Sequence, residues 1–309
     1  MSNILVTGGA GFIGSHLVDM LLDAGHEVTV VDNLVSGHRE NVHPSATFVE
    51  MDVVDHALGD VMAKASPEFV FHMAAQINVT RSVREPVYDA QCNVLGSVNL
   101  LQCCVDHGVK KVIYASTGGA IYGDPTELPV PETYPPKPVS PYGVSKYCVE
   151  HYLHLYKHIY DLDFTILRFP NVYGPRQDPH GEAGVCAILA VMMLDGETPT
   201  LYGFGEPTRD YVYGGDIARA NILAMDKGSG EILNLGSAKA TSVNELFDIV
   251  SELTAFNAEP KREALRPGEV SHIYCTGDRA AEVLGWRPEV GMREGLEQTV
   301  AFFREKKKA

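Results

Sequence analysis

The sequence predicts an α/β fold, a doubly wound parallel sheet with a smaller C-terminal α/β substrate lobe, and three observations carry that reading. Short β-branched runs alternate with longer amphipathic stretches through the first two thirds of the chain. A glycine cluster, Gly8-Gly9-Ala10-Gly11-Phe12-Ile13-Gly14, separates the first run from the first amphipathic stretch. Beyond Pro170 the alternation gives way to Gly- and Pro-rich loops between shorter elements. Alternation of the first kind is the pattern of βαβ units laid on a parallel sheet.

Taken in order, the strand runs are Ile4 to Thr7, Glu27 to Asp32, Thr47 to Met51, Phe69 to His72, Lys111 to Ala115 and Phe164 to Arg168. The first helix is expected over Phe12 to Leu22, closed by Gly25, a residue suited to the left-handed position after a helix. From Pro170, loops such as Tyr173-Gly174-Pro175 and Tyr202 to Thr208 mark a lobe covering the C-terminal edge of the sheet. No repeat or flexible linker separates the parts. The expected division is therefore residues 1–169 with about 214–236 for a Rossmann-type dinucleotide domain, and 170–213 with 237–309 for the substrate lobe.

Bulk properties narrow the class further. At 309 residues and 45% hydrophobic content the chain can bury a substantial core. No apolar run reaches the ~18 residues that span a bilayer, and Met1 leads directly into Asn3-Ile4-Leu5-Val6 without a basic leader. A cytoplasmic protein without a membrane partner is expected. A net charge of −15 argues against nucleic acid as a partner and requires local arginines for any anionic ligand. The Lys306-Lys307-Lys308 tail reads as a solvated helix end. Cys92, Cys103, Cys104, Cys148, Cys186 and Cys275 show no CxxC spacing and are taken as small apolar residues.

The glycine cluster gains meaning from its place between a strand and a helix. Gly8, Gly11 and Gly14 permit a tight turn, close approach of backbone N–H groups to a pyrophosphate, and close helix-sheet packing at a helix N-terminus that favours anions. Asp32 ends the second strand, where a carboxylate accepts hydrogen bonds from an adenosine ribose and repels a 2′-phosphate, so NAD is favoured over NADP. Asn33 follows without the arginine that a phosphate would call for. Asp52, after the third strand, suits the adenine amino group or is simply a turn aspartate.

Tyr142-Gly143-Val144-Ser145-Lys146 opens a helix, so the phenol and the ammonium share one face. Free tyrosine titrates near ~10, and service as a base at neutral pH requires a drop of about 3 units. Lys146 and the positive ring of oxidised NAD are the expected sources of that drop.

These features occur in order with His72-Met73-Ala74-Ala75, Asn93, Ile121-Tyr122-Gly123, Leu167 to Pro175, Arg209 to Tyr213, Asn234-Leu235-Gly236 and Arg266-Pro267-Gly268-Glu269. Together they resemble the extended short-chain dehydrogenase/reductase family over nearly the whole chain, and within it the chain is most similar to the UDP-glucose 4-epimerases. The resemblance implies NAD as cofactor, met also by Phe12, Ile13, Val53, Ala74, Ala75 and Asn93. It further implies a UDP-sugar substrate. Asn171, Arg209 and Arg266 would hold its diphosphate, Thr200 and Tyr202 would lie by the uracil, and Glu269 would accept the nucleotide ribose. For each arginine a surface ion pair is the alternative. A homodimer through helices near Val83 to His107 and Pro141 to Tyr160 is also implied.

Family members begin alike, with the tyrosine taking the proton of the sugar 4-OH while hydride leaves C4. Counting back from Tyr122-Gly123, the acidic positions used by dehydratases and decarboxylases fall on Gly119 and Ala120, so no side chain is available for elimination. Return of the hydride to the other face, inverting C4, is what remains. The same count puts the usual 4-OH-binding serine or threonine on Gly118. Thr117, one residue earlier, is named as the third catalytic residue, with a structural role at the strand end as the alternative. Ile273 occupies the place, beyond Glu269, where a bulky residue restricts N-acetylated sugars. The competing readings are a UDP-N-acetylglucosamine 4-epimerase or another nucleotide-sugar 4-oxidoreductase, and a non-enzymatic NAD sensor. Glu150, His151, His154 and His158 have helical metal-site spacing, but at about 3.6 residues per turn His151 faces away from Tyr142 and no metal is assigned.

Overall fold

A computed structural model of the chain describes residues 1–180, 184–265 and 270–308. Its first part runs β1 (Asn3–Thr7), α1 (Phe12–Asp23), β2 (Glu27–Asp32), β3 (Thr47–Glu50), α2 (Leu58–Ala65) and β4 (Phe69–His72). There follow α3 (Val79–Arg84), α4 (Pro86–Ala90), α5 (Gly96–Asp106), β5 (Lys111–Thr117), α6 (Pro141–Tyr160), β6 (Asp163–Phe169) and β7 (Asn171–Tyr173). Next come α7 (Val185–Leu194), β8 (Thr200–Tyr202), β9 (Thr208–Arg209), β10 (Tyr211–Tyr213), α8 (Gly214–Asp226) and β11 (Glu231–Asn234). The remainder is β12 (Thr241–Ser242), α9 (Val243–Thr254), β13 (Lys261–Glu263), β14 (His272–Ile273), α10 (Asp278–Leu284) and α11 (Met292–Lys306).

Seven strands form one parallel sheet in the order β11-β6-β5-β4-β1-β2-β3. The crossovers between these parallel strands are helical, except that β2 reaches β3 through a loop holding one short 3-10 turn at Arg39–Asn41. Leu17, Val18 and Leu21 of α1 join Ile217 and Ala224 of α8 in the core on one face. Leu58 and Met62 of α2, Leu100 of α5, and Val149 and Leu153 of α6 build the core on the other. A third apolar cluster, with Leu189, Leu246, Val250, Leu296 and Phe303, joins α7, α9 and α11 beyond the sheet. The fold is the expected α/β, Rossmann-type doubly wound arrangement.

Several expected boundaries shift, those of β1, α1 and β3 by a single residue. The β5 and β6 runs are longer than Lys111 to Ala115 and Phe164 to Arg168, because Ser116 pairs with Arg168 and Thr117 with Phe169. Polar Ser116 is accepted in a buried strand since its hydroxyl donates to Glu150 Oε1 at 2.6 Å. The helix expected near Val83 to His107 is divided. α3 stops at Arg84, Pro86 opens α4 at a position where its missing N–H costs nothing, and a π-helical turn over Gln91–Leu95 leads into α5. The second expected helix, Pro141 to Tyr160, has those bounds.

Candidate active site

The site begins where β1 ends. Gly8 is left-handed, at φ +71°, and a Cβ there would stand 2.6 Å from the Ala74 backbone nitrogen. A Cβ at Gly14 would meet the Gly8 carbonyl oxygen at 2.1 Å. Both positions thus exclude any side chain, and the turn delivers α1 with Gly11 as its N-cap and no side chain capping its first amides. Those amides and the positive end of the helix suit an anion.

Behind this turn, buried His72 ties the pieces together. Its Nδ1 lies 2.8 Å from Thr7 Oγ1 and its Nε2 lies 2.8 Å from Ser97 Oγ. Ser97 donates its one hydrogen to the Asn93 carbonyl, and Thr7 Oγ1 accepts from Ala74 N. The pattern closes with the proton on Nε2 and Thr7 donating to Nδ1. Burial pulls the imidazole down to about 3, keeping it neutral.

Asp32 ends β2 with both oxygens engaged, Oδ2 accepting from Ala10 N at 3.0 Å and Oδ1 from Leu34 N at 2.9 Å. Asn33 Nδ2 donates to Asp52 Oδ2 at 2.8 Å, and Asp52 Oδ1 accepts from Val54 N. These residues share a cleft of about 590 Å³ with Gly8, Gly11, Phe12, Ile13, Gly14, Val53, Ala74 and Ala75.

At its other end the cleft is walled by Thr117, Tyr142, Lys146, Asn171 and Arg209. Ser140 caps α6 by accepting from Gly143 N, and Pro141 occupies the first turn, which fixes Tyr142 and Lys146 on one helical face. Lys146 Nζ donates to the Ala115 carbonyl at 2.9 Å. Burial lowers its ammonium to about 8, against the opposing pull of Asp89 and Glu150. Burial also drives the Tyr142 phenol up to about 12, partly relieved by its hydrogen bond with the Thr117 hydroxyl. The downward shift expected from Lys146 is therefore not met by the protein's own groups, because desolvation of the phenolate outweighs them.

The contact with Tyr142 belongs to Thr117, and Gly118 does not replace it. A Cβ at Gly118 would lie 3.1 Å from Cys275 Sγ and 3.4 Å from the Phe169 carbonyl oxygen, so a side chain there points toward β6 rather than at the phenol. Gly119 and Ala120 line the cleft without an ionisable group.

The other expected site residues are placed as follows. Asn93 stands behind the cleft wall, not on it. It is 2% exposed, accepts from Gln76 N and donates to the Gln76 carbonyl and Ser145 Oγ. The β14–β9 pairing sets Ile273 beside Arg209 and seats it in a buried cluster with Ile121, Tyr122, Val130 and Cys275. Thr200 and Tyr202 lie on β8, which pairs with β13. Arg266 and Glu269 fall outside the described residues. Arg209 Nη1 and Nη2 donate to the carbonyls of Ser271 and Val270.

The sequence reading missed Arg176, Gln177 and Asp178, which line the cleft just past Tyr173-Gly174-Pro175. It also missed the pairing of Glu150 with Arg168 below the site, although an arginine inside an apolar strand was a signal for a buried partner. His151 packs on Tyr147 and His154 on Phe164, with ring centroids 4.6 and 4.8 Å apart, so neither converges on Glu150.

With this geometry in hand, comparison with known proteins is specific. The NAD dependent epimerase/dehydratase family matches residues 4–236. The chain is 44% identical to the UDP-glucose 4-epimerase of Mycolicibacterium smegmatis over 98% of both chains. Among solved structures, the UDP-glucose 4-epimerase of Thermotoga maritima with UDP-glucose is similar at 50% identity and a TM-score of 0.97, covering 98% of this chain and 99% of that one. The Thermus thermophilus UDP-glucose 4-epimerase complex with NAD is similar at 44% identity and a TM-score of 0.92, covering 97% and 98%. The chain belongs to the NAD dependent epimerase/dehydratase family. Among the described residues no helix is long and apolar enough to cross a membrane.

Proposed function

We propose that the chain is a UDP-glucose/UDP-galactose 4-epimerase that inverts C4 through a 4-keto sugar. The observation that carries the reading is the Thr117 hydroxyl bonded to the Tyr142 phenol at the end of a cleft that opens on the glycine turn, with Gly119 and Ala120 offering no acid for elimination. Relatives named UDP-glucose 4-epimerase at 44–50% identity over nearly the full length support it.

NAD held along the glycine turn would supply the hydride acceptor and donor and, in its oxidised form, a positive charge. Tyr142 takes the 4-OH proton and returns it, Thr117 orients that hydroxyl, and Lys146 contributes the nearby positive charge. Asp32 would receive the adenosine ribose, Asn33, Asp52 and Val53 the adenine, and Gly8, Gly11, Phe12, Ile13 and Gly14 the pyrophosphate, with Ala74 and Ala75 also holding the cofactor. Asn93 acts from behind by fixing Gln76 and Ser145. Asn171 and Arg209 line the end of the cleft that would take the substrate diphosphate, where Arg209 contributes positive charge while its Nη1 and Nη2 hold the Ser271 and Val270 carbonyls. Roles for Thr200, Tyr202, Arg266 and Glu269 toward the uridine rest on the family resemblance.

The division into residues 1–169 with about 214–236, and 170–213 with 237–309, is part of the same proposal and is supported by α8 and β11 joining the sheet. So is a homodimer, supported by exposed Val83, Val87 and Leu95 beside exposed Val144, Leu155 and Ile159 on α6. Cytoplasmic location is supported by unpaired cysteines suited to a reducing compartment. The activity is tested by incubating the purified protein with UDP-galactose and no added nicotinamide cofactor. UDP-glucose should form; a protein saturated with NAD that leaves UDP-galactose unchanged contradicts the reading.

A further inference from the structure

Lys146 is buried, yet no carboxylate among the described residues forms an ion pair with it, and its hydrogen bond runs to the neutral Ala115 carbonyl. The nearest anions are committed elsewhere. Asp89 accepts from Gln76 Nε2 and Asn93 Nδ2, and Glu150 is held by Arg168 and Ser116. What covers the ammonium is an aromatic face, with Nζ standing 4.9 Å from the centroid of the Tyr114 ring. Tyr114 is itself 1% exposed, pinned on β5 between His72 of β4 and Ile166 of β6. Its hydroxyl is buried and has no hydrogen-bond partner among the described residues. A phenol whose oxygen is unsatisfied contributes through its ring, since a buried polar atom without a partner opposes stability.

We propose that Tyr114 is a positioning residue for Lys146, its ring face carrying part of the buried ammonium's charge while its hydroxyl contributes nothing to that task. The inference rests on the assignment of Lys146 above and concerns how the chain keeps that side chain charged. A cation over an aromatic face gains most where water is excluded, which is the situation here. The groups that act on Lys146 from the surrounding elements are Asp89 on α4, Glu150 on α6, His72 on β4 and Tyr114 on β5. His72 is kept neutral, and Arg168 offsets Glu150. The two carboxylates pull upward against burial, which leaves Lys146 at about 8. Weakening the ring face removes an attraction that favours the charged form, so the titration moves down.

The test is direct titration of the Lys146 ammonium by NMR in NAD-saturated protein labelled with ¹⁵N-lysine, the signal assigned with Lys146→Arg. Position 114 is varied as phenylalanine, as phenylalanine fluorinated progressively around the ring, and as leucine. Tyr114→Phe should leave the titration in place, because it keeps the ring and removes the unpartnered oxygen. Progressive fluorination, which drains the ring face at nearly constant shape, should lower the titration stepwise, by about one pH unit at the end of the series. Tyr114→Leu should do the same if it folds, and the fluorinated series answers the question if it does not. A titration that stays put across the series overturns the proposal. A titration that falls while the alkaline limb of kcat does not follow upholds the ring contact and counts instead against the catalytic role of Lys146.

Discussion

Glu150 on α6 and Arg168 on β6 meet in a buried two-point ion pair, with Nη2 to Oε2 at 2.6 Å and Nε to Oε1 at 2.9 Å. Both side chains are 2–3% exposed. Arg168 Nη1 continues to Tyr122 Oη, which donates to Asn234 Oδ1, so one chain of contacts joins the catalytic helix to β6, the loop after β5 and the end of β11. Removing one member of such a pair strands a buried charge at about 3–5 kcal/mol, whereas neutralising both is far milder. Arg168→Met should therefore lower the unfolding free energy by roughly that amount, and Arg168→Met with Glu150→Met should recover most of it. Urea denaturation of the three proteins decides; a single variant as stable as the parent removes the structural claim.

Tyr142→Phe should fold normally and lose at least ~100-fold in turnover, the usual scale for loss of a general base. Thr117→Val removes one hydrogen bond to the reacting phenol, worth about 1.5–3 kcal/mol once that group carries charge, and so should reduce kcat by about 10- to 100-fold. Thr117→Ser should keep most activity. Equal kcat in Thr117→Val and the parent would return Thr117 to a strand-end role.

Asp32 binds two backbone amides with its two oxygens and still faces the cleft. Its charge should exclude a 2′-phosphate, so Asp32→Ala should weaken NAD binding and narrow the preference over NADP. Dissociation constants for both cofactors, measured by intrinsic fluorescence, provide the comparison. Equal binding of NADP by the unaltered protein contradicts the assignment.

How much of this was legible follows from where each constraint lives. The turn from Gly8 to Gly14 and the Tyr142/Lys146 pair are local devices, set by residues within two helical turns, and sequence spacing locates them. Thr117 was harder, because counting back from Tyr122-Gly123 cannot show that a side chain at 118 turns toward Cys275 while its neighbour meets Tyr142. Asn93 carries no local mark of being behind the wall, nor Ile273 of being buried. Their burial is decided by the Gln76 loop and by the pairing of β14 with β9, contacts between segments far apart in the chain. Ser116 fell outside the expected run Lys111 to Ala115 because the partner that makes its burial acceptable, Glu150, lies on another element.

His72 gives the protein a dependence on acid that its surface would not. Unfolded, the imidazole titrates near ~6.5; folded, burial holds it at about 3, so below pH 6.5 the unfolded chain binds a proton that the native one refuses. Stability from this group is complete above pH 6.5 and declines as pH falls toward 3, with a slope approaching about 1.4 kcal/mol per pH unit. His16 and His154 are also shifted down by burial, so the bare pH profile mixes several groups. A comparison with His72→Gln isolates the one of interest, because glutamine can bridge hydroxyls but takes up no proton. The variant should be less stable at pH 7.5, since Thr7 and Ser97 lose an optimal partner, and its stability should fall less steeply between pH 6.5 and 5. Parallel profiles for the two proteins in urea denaturation would show that His72 is not held neutral by the fold.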